Sequence, residues 1–313
     1  MKKQVLFAIL MLLPMMVMAY DFKVDGIYYN VVSFNDLTCS VTHGDSYNDY
    51  WEDVVIPAEV TYNGKKLKVI GIDYGAFEYE SGVRSITIGP NVVRIEHNAF
   101  HECTNLQKLI LEDGEESIFI DNYYSTMVAY GESAFTDCPL TDVYIGRNIT
   151  YPTYYSEIGT FAYIFPPFRS VSTIKNLTFG DNVTTVGHDY YNCSDLQMVS
   201  FGKSVSYIED YPFDSECKDL KKVYSYNMVP PDCQGPTLFP NSVYMNATLY
   251  IPKGAKSAYE NAFLWKNFWN IIEISSDNPE DPQEPTEVPQ DVNGDGIVDT
   301  QDVLEIYKYI QEH

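Results

Sequence analysis

Six short stretches set the fold: VRSITI at residues 83–88, LQKLIL at 106–111, LTDVYI at 140–145, IKNLTF at 174–179, LQMVSF at 196–201 and LKKVYS at 220–225. Each has a branched apolar residue, two mostly polar positions, an apolar residue, a variable residue and usually another apolar one. Their starts are 23, 34, 34, 22 and 24 residues apart, and such periods are typical of solenoids. Repeats this short must stack to bury their apolar faces, which gives a long surface in place of one enclosed pocket and favours binding.

A second signature precedes the strand stretches. It consists of Ala76-Phe77, Ala99-Phe100 and Ala134-Phe135, with Tyr190 and Phe213 in the aromatic position of later repeats. A small residue beside a large ring suits a tight helical turn that places the ring between layers. Each coil is therefore predicted to have a strand, a turn, a short extended piece and a helical turn. Six strands about 4.8 Å apart would make a sheet roughly 25 Å long.

Four of the six cysteines recur at one place in the repeat. Cys103, Cys193 and Cys217 lie three residues before a strand stretch, and Cys138 lies two before one. A residue type that recurs in this way is most simply a small buried apolar residue. We therefore expect free buried thiols, with disulfides between stacked equivalents as the alternative. Cys39 and Cys233 fall outside the repeats and stay undecided.

The first 19 residues have the features of a secretory signal: two lysines, an apolar run, and small residues at Val17 and Ala19. The run is shorter than the roughly 20 residues of a spanning helix and no second run follows, so we expect no transmembrane anchor after signal removal. The mature chain would begin near Tyr20. It is expected to be exported, either secreted or at the cell surface, with the periplasm as the alternative.

The charge of the chain excludes one class of partner. The net charge is −24, and removal of the signal takes away two lysines and no acid, which leaves 18 basic and 44 acidic residues. Binding to nucleic acid depends on Lys and Arg contacts to phosphate, so no nucleic-acid partner is expected. An acidic, soluble, exported protein fits this balance.

Changes in composition divide the chain into units. Asp25-Gly26 and Asn63-Gly64 are turn and hairpin signals near the start, and four prolines among acids mark an extended linker near the end. The predicted units are a signal peptide at 1–19, an N-terminal β cap at 20–62, the repeat solenoid at 63–228, a C-terminal cap at 229–274, a linker at 275–290 and a calcium loop with a helix at 291–313.

Residues 291–302, DVNGDGIVDTQD, have the spacing of a twelve-residue calcium loop. Oxygen-bearing residues stand at positions 1, 3, 5, 9 and 12, and glycine stands at position 6. The expected Ca²⁺ ligands are the side chains of Asp291, Asn293, Asp295 and Asp302, the carbonyl oxygen of Ile297, and Asp299 through a water molecule. Position 12 is Asp where an EF-hand usually has Glu. Apolar residues at helical spacing follow the loop.

The two 34-residue intervals carry aromatic insertions in consecutive coils, so the insertions should emerge side by side. The second insertion includes Phe168. Insertions in solenoids often build the binding face, and tyrosines offer rigid contact area to proteins and sugars. The candidate ligand-binding residues are Tyr123, Tyr124, Tyr151, Tyr154 and Tyr155. The alternative is that these rings pack the loops onto the solenoid.

No pattern in the chain indicates catalysis. His97 and His101 have the four-residue spacing of a metal pair, but the packing pair Ala99-Phe100 lies between them and no third ligand is evident, which favours a structural role. There is no phosphate loop, nucleophile elbow or paired-cysteine zinc pattern. We expect no enzymatic activity. If the protein were a hydrolase, the sequence would not indicate which residues are catalytic.

The chain resembles the BspA-like leucine-rich repeat family over about residues 21–274. The likeness rests on the Ala-Phe turn, the cysteine, the strand stretch and the closing segments Val229-Pro230-Pro231 and ATLYIPKG at 247–254. It implies an α+β, β-rich leucine-rich-repeat solenoid of about six coils between a β N-terminal cap and an α/β C-terminal cap, followed by the small calcium tail. It also implies adhesion or protein recognition at a cell surface and no common enzymatic activity.

The calcium segment resembles a type I dockerin repeat, because it opens with DVNGDG and has Asp at position 12. The resemblance implies contacts to a cohesin-like partner, through Thr300, Gln301, Tyr307 and Lys308. Dockerins carry two such loops and this sequence has one. The sequence thus predicts a non-catalytic recognition or adhesion protein for a protein or glycan ligand. The alternative is a dockerin-bearing accessory subunit of a polysaccharide-degrading complex.

Overall fold

A computed structural model describes residues 19–46, 48–125, 130–132, 134–155, 162–164, 166–169, 171–187, 190–213 and 215–274. In these ranges the strands are β1 Phe22–Val24, β2 Ile27–Ser33, β3 Thr38–Thr42, β4 Glu52–Ile56, β5 Glu59–Tyr62, β6 Lys65–Ile72, β7 Val83–Ile88, β8 Arg94–Ile95, β9 Lys108–Leu111, β10 Ile118–Ile120, β11 Tyr123–Ser125, β12 Tyr130–Glu132, β13 Asp142–Ile145, β14 Ile149–Thr150, β15 Thr153–Tyr155, β16 Ala162–Ile164, β17 Asn176–Phe179, β18 Thr185–Val186, β19 Met198–Phe201, β20 Tyr207–Ile208, β21 Lys222–Ser225, β22 Asp232–Cys233, β23 Thr248–Pro252 and β24 Asn270–Ile274. The helices are α1 Asn241–Asn246 and α2 Lys256–Asn261, and a 3-10 turn spans Trp265–Asn267.

The six repeated stretches lie side by side in one parallel sheet, as predicted. Over the described residues this main sheet has nine strands in the order β24-β23-β21-β19-β17-β13-β9-β7-β4. The stretches supply β7, β9, β13, β17, β19 and β21. Strand β4 extends the sheet before the first repeat, and β23 and β24 extend it after the last. The estimate of 25 Å was therefore too short, since nine strands at about 4.8 Å span roughly 38 Å.

A second sheet lies on the other side of the coils and is made of shorter strands. Its order is β1-β2-β3-β6-β8-β10-β14, with β5 paired to β6, and β18-β20-β22 form a further parallel set. These short strands are the extended pieces expected after each turn. Both sequence turn signals join antiparallel strands: Asp25 and Gly26 have φ of 48° and 85°, and Asn63 and Gly64 have φ of 48° and 73°. Such left-handed pairs suit two-residue hairpins.

Stacked rings run through the core along the Ala-Phe turns. Successive ring centroids are 5.4 Å apart for Phe77–Phe100, 5.1 Å for Phe100–Phe135, 5.1 Å for Phe135–Phe168, 5.7 Å for Phe168–Tyr190, 5.8 Å for Tyr190–Phe213 and 5.1 Å for Phe213–Phe239. All of these residues are buried. Phe168, which the sequence placed in an aromatic insertion, belongs to this stack.

The cysteines form a ladder beside the rings. Each repeat thiol donates to the backbone carbonyl of the stacked aromatic residue in the preceding coil: Cys103 to Phe77 at 3.0 Å, Cys138 to Phe100 at 3.1 Å, Cys193 to Phe168 at 3.7 Å and Cys217 to Tyr190 at 3.7 Å. All six cysteines are free; Cys39 is buried as well and Cys233 is half-buried. The expectation of buried free thiols in the repeats is confirmed.

The C-terminal strands are held to the solenoid by buried aromatic residues with polar ends. The indole nitrogen of Trp265 donates to the carbonyl of Pro231 at 2.9 Å, and the Tyr259 hydroxyl donates to the carbonyl of Asn227 at 2.8 Å. A buried indole or phenol needs such a partner, and these contacts fix the closing segment against the last coil. Within the described ranges, no helix has the length and apolar character needed to cross a membrane.

Candidate binding surfaces

The two aromatic insertions form hairpins that leave the solenoid at neighbouring strands. Strands β10 and β14 pair in parallel, with Ile118 opposite Ile149 and Phe119 opposite Thr150. The chain then enters the antiparallel pair β11–β12 after β10, and the antiparallel pair β15–β16 after β14. Strand β11 begins three residues after the end of β10, and β15 begins three residues after the end of β14. Consecutive coils therefore present them next to each other.

The candidate tyrosines lie on the first strands of these hairpins. Tyr123 and Tyr124 belong to β11, opposite Glu132 and Gly131, and Tyr154 and Tyr155 belong to β15, opposite Tyr163 and Ala162. Tyr151 precedes β15 and is half-buried. The backbone thus brings two tyrosine pairs to one region of the solenoid. Their assignment to ligand binding stays a prediction.

A row of residues that crosses the main sheet was missed in the sequence. Four of them are partly exposed, and Thr87, Ser200 and Tyr224 are buried. It occupies the variable fifth position of the repeat stretch. In strand order it runs Thr87, Ile110, Tyr144, Thr178, Ser200, Tyr224 and Tyr250, each paired with the next. The rings of Tyr224 and Tyr250 stack at 4.6 Å. Alignment of the repeats would have revealed the row, because this position takes hydroxyl, aliphatic and aromatic residues, whereas the fourth position is always Ile, Leu or Val.

A buried arginine joins two turns at the end of the main sheet. Arg147 is 1% exposed, and its guanidinium donates to the carbonyl oxygens of Pro90 and Gly89, the latter at 2.8 Å. Burial lowers the pKa of Arg147, and the nearby Glu112 and Asp113 carboxylates counteract part of that change. Burial also raises the pKa of Glu112, which Arg147 partly offsets. The contact ties two coils that are not adjacent, so its role is structural.

The histidine pair of the sequence has separate partners. His97 lies 3.7 Å from Asp121, and His101 lies 3.4 Å from Glu78. Glu96, His97 and Asp121 offer ligand atoms within 4.8 Å of one another. Arg94, however, is bonded to both carboxylates, with 3.3 Å to Asp121. A cation would have to displace that guanidinium, so the cluster is better described as a network of ion pairs.

The calcium segment lies outside the described residues. This applies to the proposed metal ligands Asp291, Asn293, Asp295, Ile297, Asp299 and Asp302, and to the partner-binding residues Thr300, Gln301, Tyr307 and Lys308. Both sets therefore stay predictions from the sequence.

The parallel sheet, the short strands opposite it and the stacked rings between them define a leucine-rich repeat solenoid. The family model for the BspA type leucine rich repeat region matches in six copies, over residues 70–163 and 131–263. These ranges take in more than half of the 313 residues. The chain belongs to the BspA type leucine-rich repeat family. Comparison with curated proteins gave no match.

Several solved structures are similar to this chain. A leucine-rich repeat protein of T. pallidum has a TM-score of 0.44 and 15% identity, over 80% of this chain and 98% of its own. A leucine-rich repeat protein from Bacteroides ovatus has a TM-score of 0.32 and 19% identity, over 82% of this chain and 77% of its own. A leucine rich cell surface protein from Faecalibacterium prausnitzii has a TM-score of 0.28 and 14% identity, over 82% of this chain and 95% of its own.

Proposed function

We propose that this protein is an exported, non-catalytic recognition or adhesion protein that binds a protein or glycan ligand outside the cell. The observation that carries the proposal is the emergence of two tyrosine-bearing hairpins, β11–β12 and β15–β16, from neighbouring paired strands. Two adjacent hairpins offer a larger contact area than either alone. Membership in a family of repeat proteins also supports binding, since a stacked solenoid presents an extended surface.

The secretory features of residues 1–19 support export. Secretion and attachment at the cell surface both agree with this reading. A cell-surface location would place the solenoid where it can meet ligands of other cells or of the surroundings.

The experiment is a binding screen on immobilised polysaccharides and extracellular proteins, followed by variants of the hairpins. The triple variant Tyr124→Ala, Tyr154→Ala and Tyr155→Ala should lose at least tenfold in affinity, because aromatic contacts dominate such interfaces. Its thermal midpoint should change little. A matched control replaces Tyr74, Tyr191 and Tyr211, which are 53%, 42% and 46% exposed, by Ala. Equal binding by both triple variants would remove the hairpins as the contact site.

We propose as a second function that residues 291–313 attach the solenoid to a larger assembly in a calcium-dependent way. The spacing of Asp291, Asn293, Asp295 and Asp302 around Gly296 supports it. Calorimetric titration of the full chain with CaCl₂ should give one binding site, which Asp291→Ala combined with Asp295→Ala abolishes. Asp281→Ala in the linker is the control. A calcium-independent pull-down of the same partners would contradict this second function.

A further inference from the structure

The main sheet ends at β4 while the second sheet continues past it. Strands β4 and β6 belong to the same coil, and beyond β6 the second sheet adds β3, β2 and β1. Over the described residues the main sheet has no strand opposite these three. A groove of about 480 Å³ lies at this place, between β4 and the hairpin turn of β1 and β2. The groove lies where one more strand of the main sheet would pair with β4.

The edge of β4 that faces the groove has free backbone groups. The amide of Glu52 and the carbonyl of Ile56 bond to Gly82 and Gly89 on the β7 side. A bulge lies between Glu52 and Asp53, so the direction is counted back from Ile56. Because backbone groups along a strand alternate between its two edges, those of Val55 and Asp53 point to the other side. In the described part of the chain, no backbone hydrogen bond joins Asp53 or Val55 to a strand on that side. Such an edge is a template for an added strand.

The groove has an apolar floor and an acidic rim. Ile27, Tyr29 and Val54 are buried beneath it. Asp25, Asp49 and Asp53 line it, and no lysine, arginine or histidine does. None of the three aspartates forms a salt bridge with a described residue; Asp53 accepts a hydrogen bond from the Ser85 hydroxyl at 2.6 Å. The rim therefore attracts a cationic side chain.

Hydrogen bonds and close packing hold the residues at the mouth of the groove in place. The buried Glu80 carboxylate accepts hydrogen bonds from the backbone amides of Asp49 at 3.0 Å and Tyr50 at 3.2 Å, which fixes the wall. The Trp51 ring packs so closely on Gly82 that a side chain there would meet it at 2.9 Å. Trp51 as a whole nevertheless stays 67% exposed. A tryptophan held with one face against the backbone offers its other face to a cation.

We propose that this groove binds an extended segment of a partner protein as an additional strand on β4, with an arginine or lysine of that segment placed between Trp51 and the aspartate rim. Pairing would use the backbone groups of Asp53 and Val55, as in other strand additions. A second copy of this chain is a poorer occupant, because each copy has a net charge of −24. A glycan would use the tryptophan and the carboxylates but would leave the strand edge unused. The site is separate from the hairpins, so its failure would not affect the function proposed for them.

The test is selection of a random dodecapeptide phage library on the full chain, followed by affinity measurement with the selected peptides. Recovered peptides should alternate apolar and polar residues and contain Lys or Arg. Val55→Pro removes the outward amide without removing a bond to β7, since that amide points away from β7. It should weaken binding at least tenfold, whereas Val55→Thr, which keeps the amide, should not. Asp25→Asn, which suits the left-handed turn at that residue, should weaken binding about threefold and reduce its salt dependence.

Four results would overturn the proposal. One is recovery of peptides without basic residues, or of none above background. Another is that the selected peptides bind wild type and Val55→Pro with equal affinity. If that variant does not fold, the equivalent result is that wild type binds a selected peptide equally well before and after methylation of the peptide's pairing amides. A third is binding of oligosaccharides that Trp51→Ala abolishes and Val55→Pro leaves intact. A dimer in sedimentation velocity that disappears in Val55→Pro would likewise assign the edge to a second copy and contradict a foreign segment.

Discussion

The thiol of Cys138 donates a hydrogen bond to the backbone carbonyl of Phe100, 38 residues earlier, at 3.1 Å. Because this contact repeats along the solenoid, the cysteines are hydrogen-bond donors within the core. They join the stacked turns that carry the aromatic rings. Each coil is thereby held to its neighbour both by ring contact and by a thiol.

All six cysteines should resist alkylation in the native protein. Burial raises the pKa of Cys39 and of Cys233 from 9.0 to about 12, and thiols at high pKa contain little reactive thiolate at pH 8. Native protein treated with iodoacetamide for one hour should remain unmodified by intact mass. In guanidinium without reductant, all six thiols should be labelled. Labelling of only four would reveal a disulfide and contradict the ladder.

Removal of one stacked ring should destabilise the solenoid strongly. Phe135 is fully buried between Phe100 and Phe168, so Phe135→Ala leaves a cavity in the middle of the stack. The expected loss is about 3–5 kcal/mol in the free energy of unfolding, measured by urea denaturation. Phe34→Ala, at a side chain 67% exposed, is the control and should change it by less than about 0.5 kcal/mol. Similar midpoints for the two variants would show that the stack contributes little.

Arg147→Ala should also destabilise the protein, because it removes the charged donor to the carbonyls of Gly89 and Pro90. Hydrogen bonds to a charged group are worth about 1.5–3 kcal/mol each. Removal of the buried guanidinium also relieves the cost of its burial, so we expect a total loss of about 2–4 kcal/mol. Arg84→Ala, at an exposed arginine in β7, should stay within about 0.5 kcal/mol of wild type. Equal stability of the two variants would mean that the contact between Arg147 and the turn is not formed in solution.

Glu112 should make the protein less stable as the pH rises. Burial raises its pKa above 4.5 in the folded state, so the folded state retains a proton that the unfolded chain has lost. The free energy of unfolding therefore falls from about pH 4.5 up through the raised pKa. Glu112→Gln should lack this fall. The difference in the free energy of unfolding between Glu112→Gln and wild type should grow in favour of the variant across that interval and then stay constant. Urea denaturation midpoints from pH 4 to 8 measure it. The exposed Glu115→Gln is the control, and parallel curves for Glu112→Gln and wild type would disprove the effect.

The sequence was sufficient for the repeating part of the fold. Leu106, Cys103 and Phe100 recur at fixed distances, and a residue that recurs must occupy equivalent places in stacked coils. For that reason the six strands and the buried thiols could be predicted. Phe168 has the right spacing, six residues before Ile174, but it follows Pro167 and lies at the end of an aromatic-rich segment, so it was assigned to the insertion.

The parts without repetition could not be predicted in the same way. Val54 and Ile56 occupy the fourth and sixth positions of WEDVVI at 51–56, which begins with Trp51 where the repeats have a branched apolar residue, so its likeness to the repeats was not recognised. Arg147 occupies a turn position where a charged residue is ordinarily exposed, and its burial depends on a turn 57 residues away. The groove combines Asp25 with Val55, which only the folded chain brings together.

The absence of cross-links among the six thiols has a mechanical consequence. No disulfide joins one coil to the next, so a force applied at the two ends meets no covalent cross-link within the solenoid. Coils should peel away one at a time, and each period of 22–24 residues would release roughly 75–80 Å of chain, with about 115 Å from a 34-residue period. Under load the solenoid would lengthen stepwise and absorb work as it does so.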